Sequence, residues 1–273
     1  MLPLVPDQDV SQHPQHTHLD GDLANNGTSK LHFDTIQDTI EAFSKPYTPQ
    51  ETAPTKLIMP SPEHGEFIIV LDSTSRENEG DLIIAASEIT TEKMAFMIRH
   101  TSGLICTPVS SSLTTSLDLP QMVLKNNDIE GTAYTVSIDA LDGCITTGIS
   151  AYDRALTCRT LASKSARADS FRRPGHVFPL RAKDGGVRER RGHTEATIEF
   201  CKLARKAQAG VLSELVDKGE EVEGRTERIH GGMTRRNGCL RFGRRWGIRV
   251  CTIEALVEYL DGRNAEDKII GHT

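Results

Sequence analysis

The chain has 273 residues, 37% of them hydrophobic, and a formal charge of −6. That is enough apolar material for one sizeable core, and the wrong sign for a protein that grips nucleic acid through a bulk positive field. No apolar run approaches the roughly 20 residues that cross a bilayer, so no membrane partner is expected.

No Lys or Arg precedes Lys30, which leaves no secretory signal or arginine-rich transit peptide to read, and the expected location is the cytoplasm. The cysteines Cys106, Cys144, Cys158, Cys201, Cys239 and Cys251 are far apart, with no C-x-x-C pair. This argues against a zinc cage or disulfide framework and fits a reducing compartment.

In chain order, residues 1–30 are rich in Asp, Gln, His, Asn and Gly and read as a disordered leader. Its histidines His13, His16 and His18, with the nearby His32, offer nitrogen ligands, but a mobile tail loses chain entropy when it binds, so it is read as a tail. Apolar residues Leu31, Phe33, Ile36, Ile40 and Phe43 recur at helical steps up to Lys45-Pro46, which predicts an amphipathic helix. A Pro- and Thr-rich surface loop follows, from Pro46 to Pro62.

Two apolar runs, Phe67 to Leu71 and Leu82 to Ala86, flank an acidic turn and predict a strand pair with its tip at Arg76 to Gly80. Helices are expected at Thr90–His100, Ala151–Ala162, Thr194–Leu203 and Ile253–Tyr259. Strands are expected at Leu104–Pro108, Tyr134–Asp139, Val177–Arg181 and Gly210–Val216. Met94 and Met97 read as core, and Cys106 as a buried small hydrophobe. Gly219 to Asn237 is charged and glycine-rich and reads as a surface excursion, while Arg172-Arg173, Arg235-Arg236 and Arg244-Arg245 read as solvated faces. Alternating strands and helices predict a mixed α/β domain of layered helices and mixed sheet over residues 31–262, with a tail at 263–273.

Three stretches carry chemistry. Glu77, Glu79 and Asp81 place three carboxylates within five residues at the strand-pair tip, oxygen ligands suited to a divalent cation. His176 and His193 each follow a glycine, near arginines and at the edge of an apolar run. Thr194-Glu195 then opens a helix, whose free N–H groups beside Arg190 and Arg191 favour a phosphate. Taken singly, an acidic turn is commonly a solvated tip and a Gly-His a capping histidine. Glu214 differs, because a carboxylate inside the apolar run Val211 to Val216 is expensive to bury without a partner.

Taken together, the motifs resemble the 3,4-dihydroxy-2-butanone 4-phosphate synthase family of riboflavin biosynthesis. The match runs in order through Arg76-Glu77-Asn78-Glu79-Gly80-Asp81, Arg99-His100-Thr101-Ser102-Gly103-Leu104-Ile105-Cys106 and Leu117-Asp118-Leu119-Pro120. It continues with Thr146-Thr147-Gly148-Ile149-Ser150-Ala151, Asp153-Arg154, the two histidine motifs and Gly210-Val211-Leu212-Ser213-Glu214-Leu215. The resemblance implies a lyase that converts D-ribulose 5-phosphate to formate and L-3,4-dihydroxy-2-butanone 4-phosphate. It implies two Mg2+ per site, replaceable by Mn2+, and a homodimer with its active sites near the subunit interface.

By that resemblance Glu77 and His193 would bind metal, and His176 and Glu214 would be the acid–base residues. Arg190, Arg191, Gly192 and Thr194 would grip the phosphate, while Arg76, Glu77, Asp81 and Thr147 would meet the rest of the substrate, with Cys106 close by. Two departures stand out: neutral Ser73-Thr74-Ser75 where the family is acidic, and a longer excursion from Gly219 to Asn237. No second domain of the fused GTP cyclohydrolase II kind is read, so a monofunctional enzyme is expected. The competing readings are a catalytically silent relative that binds a sugar phosphate or a partner, and a metal-dependent sugar-phosphate isomerase.

Overall fold

A computed structural model describes residues 31–46 and 67–270. The expectations for the leader and its histidines, and for nearly all of the loop from Pro46 to Pro62, fall outside the described residues.

The first helix, α1 (Ile36–Ser44), begins later than its apolar spacing suggested. Thr35 caps it by accepting from the Asp38 N–H at 3.1 Å. Just before it, the Asp34 N–H donates to the Val250 carbonyl (2.8 Å) and the Asp34 carboxylate accepts from the Val250 N–H (2.8 Å), so the lead-in stays extended. Next come β1 (Ile68–Leu71), β2 (Gly80–Ala85), α2 (Thr91–His100), β3 (Cys106–Val109), α3 (Ser111–Ser116), β4 (Ile138–Ala140) and α4 (Ala151–Leu161). The chain continues through β5 (Phe171–Arg181), α5 (His193–Leu203) and β6 (Gly210–Glu214). Two small ribbons then pair β7 (Val216–Asp217) with β10 (Gly232–Met233) and β8 (Glu220–Glu221) with β9 (Arg228–Ile229). It closes with α6 (Arg236–Trp246), β11 (Arg249–Thr252) and α7 (Ile253–Ile270).

Seven strands form one mixed sheet in the order β11-β1-β2-β6-β3-β5-β4. The pairs β1/β11 and β3/β5 are parallel and the others antiparallel. Alternation along the central strands explains the continuous apolar runs, since both faces are covered. Ile69, Leu71, Leu82 and Ile84 pack with Met94, Met97, Cys158 and Leu240 on one side. Ile68, Val70, Ile83 and Ala85 pack with Phe43, Phe200, Leu256 and Val257 on the other. The result is three layers, with α2, α4 and α6 over one face and α1, α5 and α7 over the other.

Four expectations are corrected. The strand read at Val177–Arg181 starts at Phe171, because its first half pairs with β4. The strand read at Tyr134–Asp139 is short: Tyr134 and Thr135 make only isolated bridges and the ladder begins at Ile138. The last helix continues to Ile270. The excursion from Gly219 to Asn237 is mostly exposed, as read, but its last two residues open α6, whose apolar stripe is thin because Gly238 and Gly243 sit in it; a Cβ at Gly243 would come 2.7 Å from the Ile248 carbonyl oxygen.

Candidate active site

The site lies where β1 and β6 end and β2 begins, beside the start of α5. Asp72, the residue after β1, folds the acidic loop around its carboxylate. That group accepts from the Arg76 guanidinium (2.6 Å) and from the N–H groups of Glu77 (3.2 Å) and Glu79 (2.9 Å). The N–H groups of Arg76 and Asn78 both donate to the Ser73 carbonyl at 3.1 Å, and Asn78 takes a positive φ of 54°. This compact turn sets the Glu77 carboxylate toward α5.

There His193, in the first turn of α5 and 7% exposed, places Nδ1 3.9 Å from Glu77 Oε2 and 3.7 Å from Asp81 Oδ2. Ligand atoms of Asp72, Glu77 and His193 all lie within 4.8 Å of one another. Burial holds the His193 pKa down at about 4, so its imidazole is neutral at pH 7 and free to offer a lone pair. His193 Nε2 and Asp81 Oδ1 are buried without hydrogen-bond partners. Burial, then the neighbouring charges of Glu214 and Glu77, raises the Asp81 pKa well above the carboxylate range, and burial also raises that of Glu77. Carboxylates of Asp72 and Glu77, the first buried and the second partly so, and one neutral imidazole make the donor set of a divalent-cation site, although Arg76 already lies 2.6 Å from Asp72 and 2.7 Å from Glu77.

Arg76, Glu77, Asp81, Cys106, Arg190, His193, Thr194 and Glu214 line one pocket. Glu214 ends β6 half-buried and accepts from the Ser102 hydroxyl at 2.7 Å, which resolves the cost of a carboxylate in that apolar run. Arg190 is braced by Glu195 (2.6 Å), the Glu130 carbonyl (3.0 Å) and the Thr132 hydroxyl (3.0 Å). Gly192 is the N-cap of α5 and offers no side-chain cap. Arg191 is exposed and does not line the pocket. Cys106 is buried, as a small hydrophobe should be, and burial pushes its thiol far above neutrality.

His176 and Thr147 are not in that pocket. His176 sits on β5 beside the edge strand β4, 42% exposed, with Nδ1 2.9 Å from Oδ2 of the buried Asp139. Asp139 also accepts the His176 backbone N–H (2.9 Å) and the Arg172 guanidinium (3.0 Å). Nδ1 faces this carboxylate, which leaves Nε2 as the ring nitrogen not engaged by Asp139. Thr147 stands exposed before Gly148, where a Cβ would strike Asp139 and come 2.6 Å from His176 Nδ1, so this turn and the His176 ring are neighbours.

Sequence reasoning missed Asp72, Asp139, Ser102, Glu130 and Arg235. Only Asp72 carried a signal, as the acid ending the first strand; the others come from remote segments. Arg236, Arg244 and Arg245 are exposed, as read, but three other arginines of those pairs also hold the fold. Arg172 binds Asp139, Arg173 donates to the Leu117, Ala168 and Phe171 carbonyls, and Arg235 donates to the Glu77 carbonyl.

Residues 58–259 match the family model of 3,4-dihydroxy-2-butanone 4-phosphate synthase. A relative of that name from Pyricularia oryzae is 56% identical over 232 residues, covering 85% of this chain and 91% of its own. A crystal structure of a 3,4-dihydroxy-2-butanone 4-phosphate synthase in complex with two magnesium ions matches with a TM-score of 0.76 at 55% identity. It covers 84% of this chain and 98% of its own. A cation-free form matches at 0.74 and 54% identity, covering 85% and 99%. Neither the silent binder nor the isomerase finds support among these relatives. Ordered motifs, sheet topology and a pocket of acids, arginines and one neutral imidazole agree with them: the chain belongs to the 3,4-dihydroxy-2-butanone 4-phosphate synthase family.

Proposed function

We propose that this chain is a lyase of riboflavin biosynthesis that converts D-ribulose 5-phosphate to formate and L-3,4-dihydroxy-2-butanone 4-phosphate, with residues 31–262 as the catalytic domain. The observation that carries this reading is the clustering of Asp72, Glu77 and His193 in a pocket shared with Arg76, Arg190 and Glu214. Glu77 and His193 would hold Mg2+, two ions per site, with Mn2+ able to replace it because imidazole is a borderline ligand. When bound, the metal supplies positive charge beside the ketone oxygen, where negative charge develops as the neighbouring proton leaves.

The protein's own groups do the remaining work. Arg190, Gly192 and Thr194, at the start of α5, bind the phosphate where N–H groups and the helix dipole favour an anion, while Arg191, exposed and outside the pocket, adds only its positive field. Arg76, Asp81 and Thr147 orient the sugar hydroxyls. His176, fixed by Asp139, exchanges protons through Nε2, and Glu214, held by Ser102, serves the opposite direction. Loss of water, the carbon shift and release of formate each require a proton at a defined atom, and two positioned groups allow both delivery and removal. Cys106, kept as a thiol, packs against the substrate rather than attacking it.

The positions of His176 and Thr147 support a homodimer. Both are exposed and outside the acidic pocket, and apolar Leu141, Ile149 and Tyr152 stand exposed on either side of Thr147 in sequence. A second copy covering this edge would complete the site. Among the described residues no helix is long and apolar enough to cross a membrane, and the cytoplasm is the proposed location. The test is to supply ribulose 5-phosphate and Mg2+ and identify products by NMR. Formate with a four-carbon phosphate is expected, whereas a five-carbon product or unchanged substrate would overturn the assignment.

A further inference from the structure

The guanidinium of Arg235 stands in the segment read from sequence as a solvated excursion, yet it touches the site. Its Nη1 donates to the backbone carbonyl of Glu77 and, at 3.3 Å, to that of Asn78, and lies 3.9 Å from the Glu79 carboxylate. The acidic loop is thus held from two sides. Asp72 takes its N–H groups and its own arginine, and Arg235 takes the two carbonyls that Asp72 cannot.

The anchor of Arg235 is itself fixed. The Thr234 N–H donates to the Leu215 carbonyl at 3.0 Å and Met233 pairs with Val216, which ties this segment to the end of β6 beside Glu214. Behind the loop, Gly80 packs against the first full turn of α6, where an added Cβ would sit 2.6 Å from Cys239 Sγ.

We propose that Arg235 is a positioning residue that latches the backbone of Glu77 and Asn78, so that the Glu77 carboxylate is preset for its cation before substrate arrives. Asn78 holds a left-handed backbone, φ 54°, which a free loop abandons readily. The neutral Ser73-Thr74-Ser75 adds no charge to the carboxylates of Asp72, Glu77, Glu79 and Asp81, so metal capture depends on how those few are placed. The inference rests on the Mg2+ assignment above, and its test separates the two.

Amide hydrogen exchange of residues 72–79 is measured on the metal-free full chain for the wild type, Arg235→Ala and Arg235→Lys. Mg2+ is then titrated calorimetrically into each. In the alanine variant the amides of Arg76, Glu77, Asn78 and Glu79 should exchange at least several-fold faster. The Mg2+ dissociation constant should rise about tenfold, a loss on the scale of one charge-assisted hydrogen bond. With Mg2+ raised to saturation, kcat should return to near the wild-type value, and lysine should restore part of the protection. Should alanine impair folding, the lysine variant carries the comparison at reduced amplitude. Unchanged exchange in the loop would overturn the latch even if Mg2+ binds the wild type. Absence of Mg2+ binding by the wild type would instead sink the metal assignment, and the exchange data would still decide the latch.

Discussion

Among single residues His193 makes the sharpest demand. Burial depresses its pKa to about 4 from an ordinary 6.5, so the unfolded chain binds the proton more readily than the folded one between those values. Stability from this group is therefore complete above pH 6.5 and is lost as pH falls toward 4, by at most about 3 kcal/mol. Asp81 and Glu77, whose pKa values are raised, act in the opposite sense. The prediction is accordingly a difference: in metal-free protein, the stability of the wild type relative to His193→Gln should fall between pH 6.5 and 4. A flat difference would deny that the imidazole is buried neutral.

His176 should behave otherwise. His176→Ala should abolish turnover with the thermal midpoint little changed, because the ring is 42% exposed and Arg172 still pairs with Asp139. Asp139→Asn should lower kcat by roughly 10²- to 10⁴-fold and shift the pH profile, the range expected when a proton-transfer group loses its orientation. A pH profile identical to wild type would remove Asp139 from that role. The acidic motif was legible in the sequence because it stands at a turn between apolar runs, and the histidines because each follows a glycine among arginines, although His176 lies within β5 rather than at a turn. Asp139 and Ser102 were not, since each meets its partner across 37 and 112 residues and has no local pattern of its own.

At the level of elements, β4 and β5 show how a sheet edge can hold chemistry. Gly175 lies against the β4 backbone at Ile138 and Asp139, where a Cβ has no room. Gly175→Ala should therefore destabilise the fold by about 1–3 kcal/mol and also reduce kcat, since the displaced backbone carries both His176 and Asp139. A stable variant with full kcat would contradict that coupling. Strands with two covered faces, such as β1 and β2, were readable as unbroken apolar runs. Helix α6 and β11 were hidden because Gly238, Gly243 and six arginines, Arg235 to Arg249 inclusive, mask their few buried side chains, Cys239, Leu240, Val250 and Cys251. Helix α3 was hidden by its brevity and its serine and threonine content, which read equally as a loop.

For the whole molecule, the three-layer plan brings the ends of β1 and β6 and the starts of β2 and α5 together, while leaving the β4–β5 edge open with His176. A composite dimer makes a quantitative forecast. His176→Ala and Glu77→Gln subunits, each inactive alone, should recover about a quarter of wild-type activity after being mixed and refolded together. Half of the dimers are then mixed, and one of their two sites is intact. No recovery would place both groups in one subunit's site.

The most direct test of the central claim is formate release from ribulose 5-phosphate by chelator-stripped protein before and after Mg2+ is restored. We expect no formate without the metal, one formate per substrate consumed with it, and none from Glu77→Gln or His193→Gln under either condition. Formate at the full rate in the presence of chelator, or from the His193→Gln protein, would contradict a cation held between the acidic loop and the start of α5.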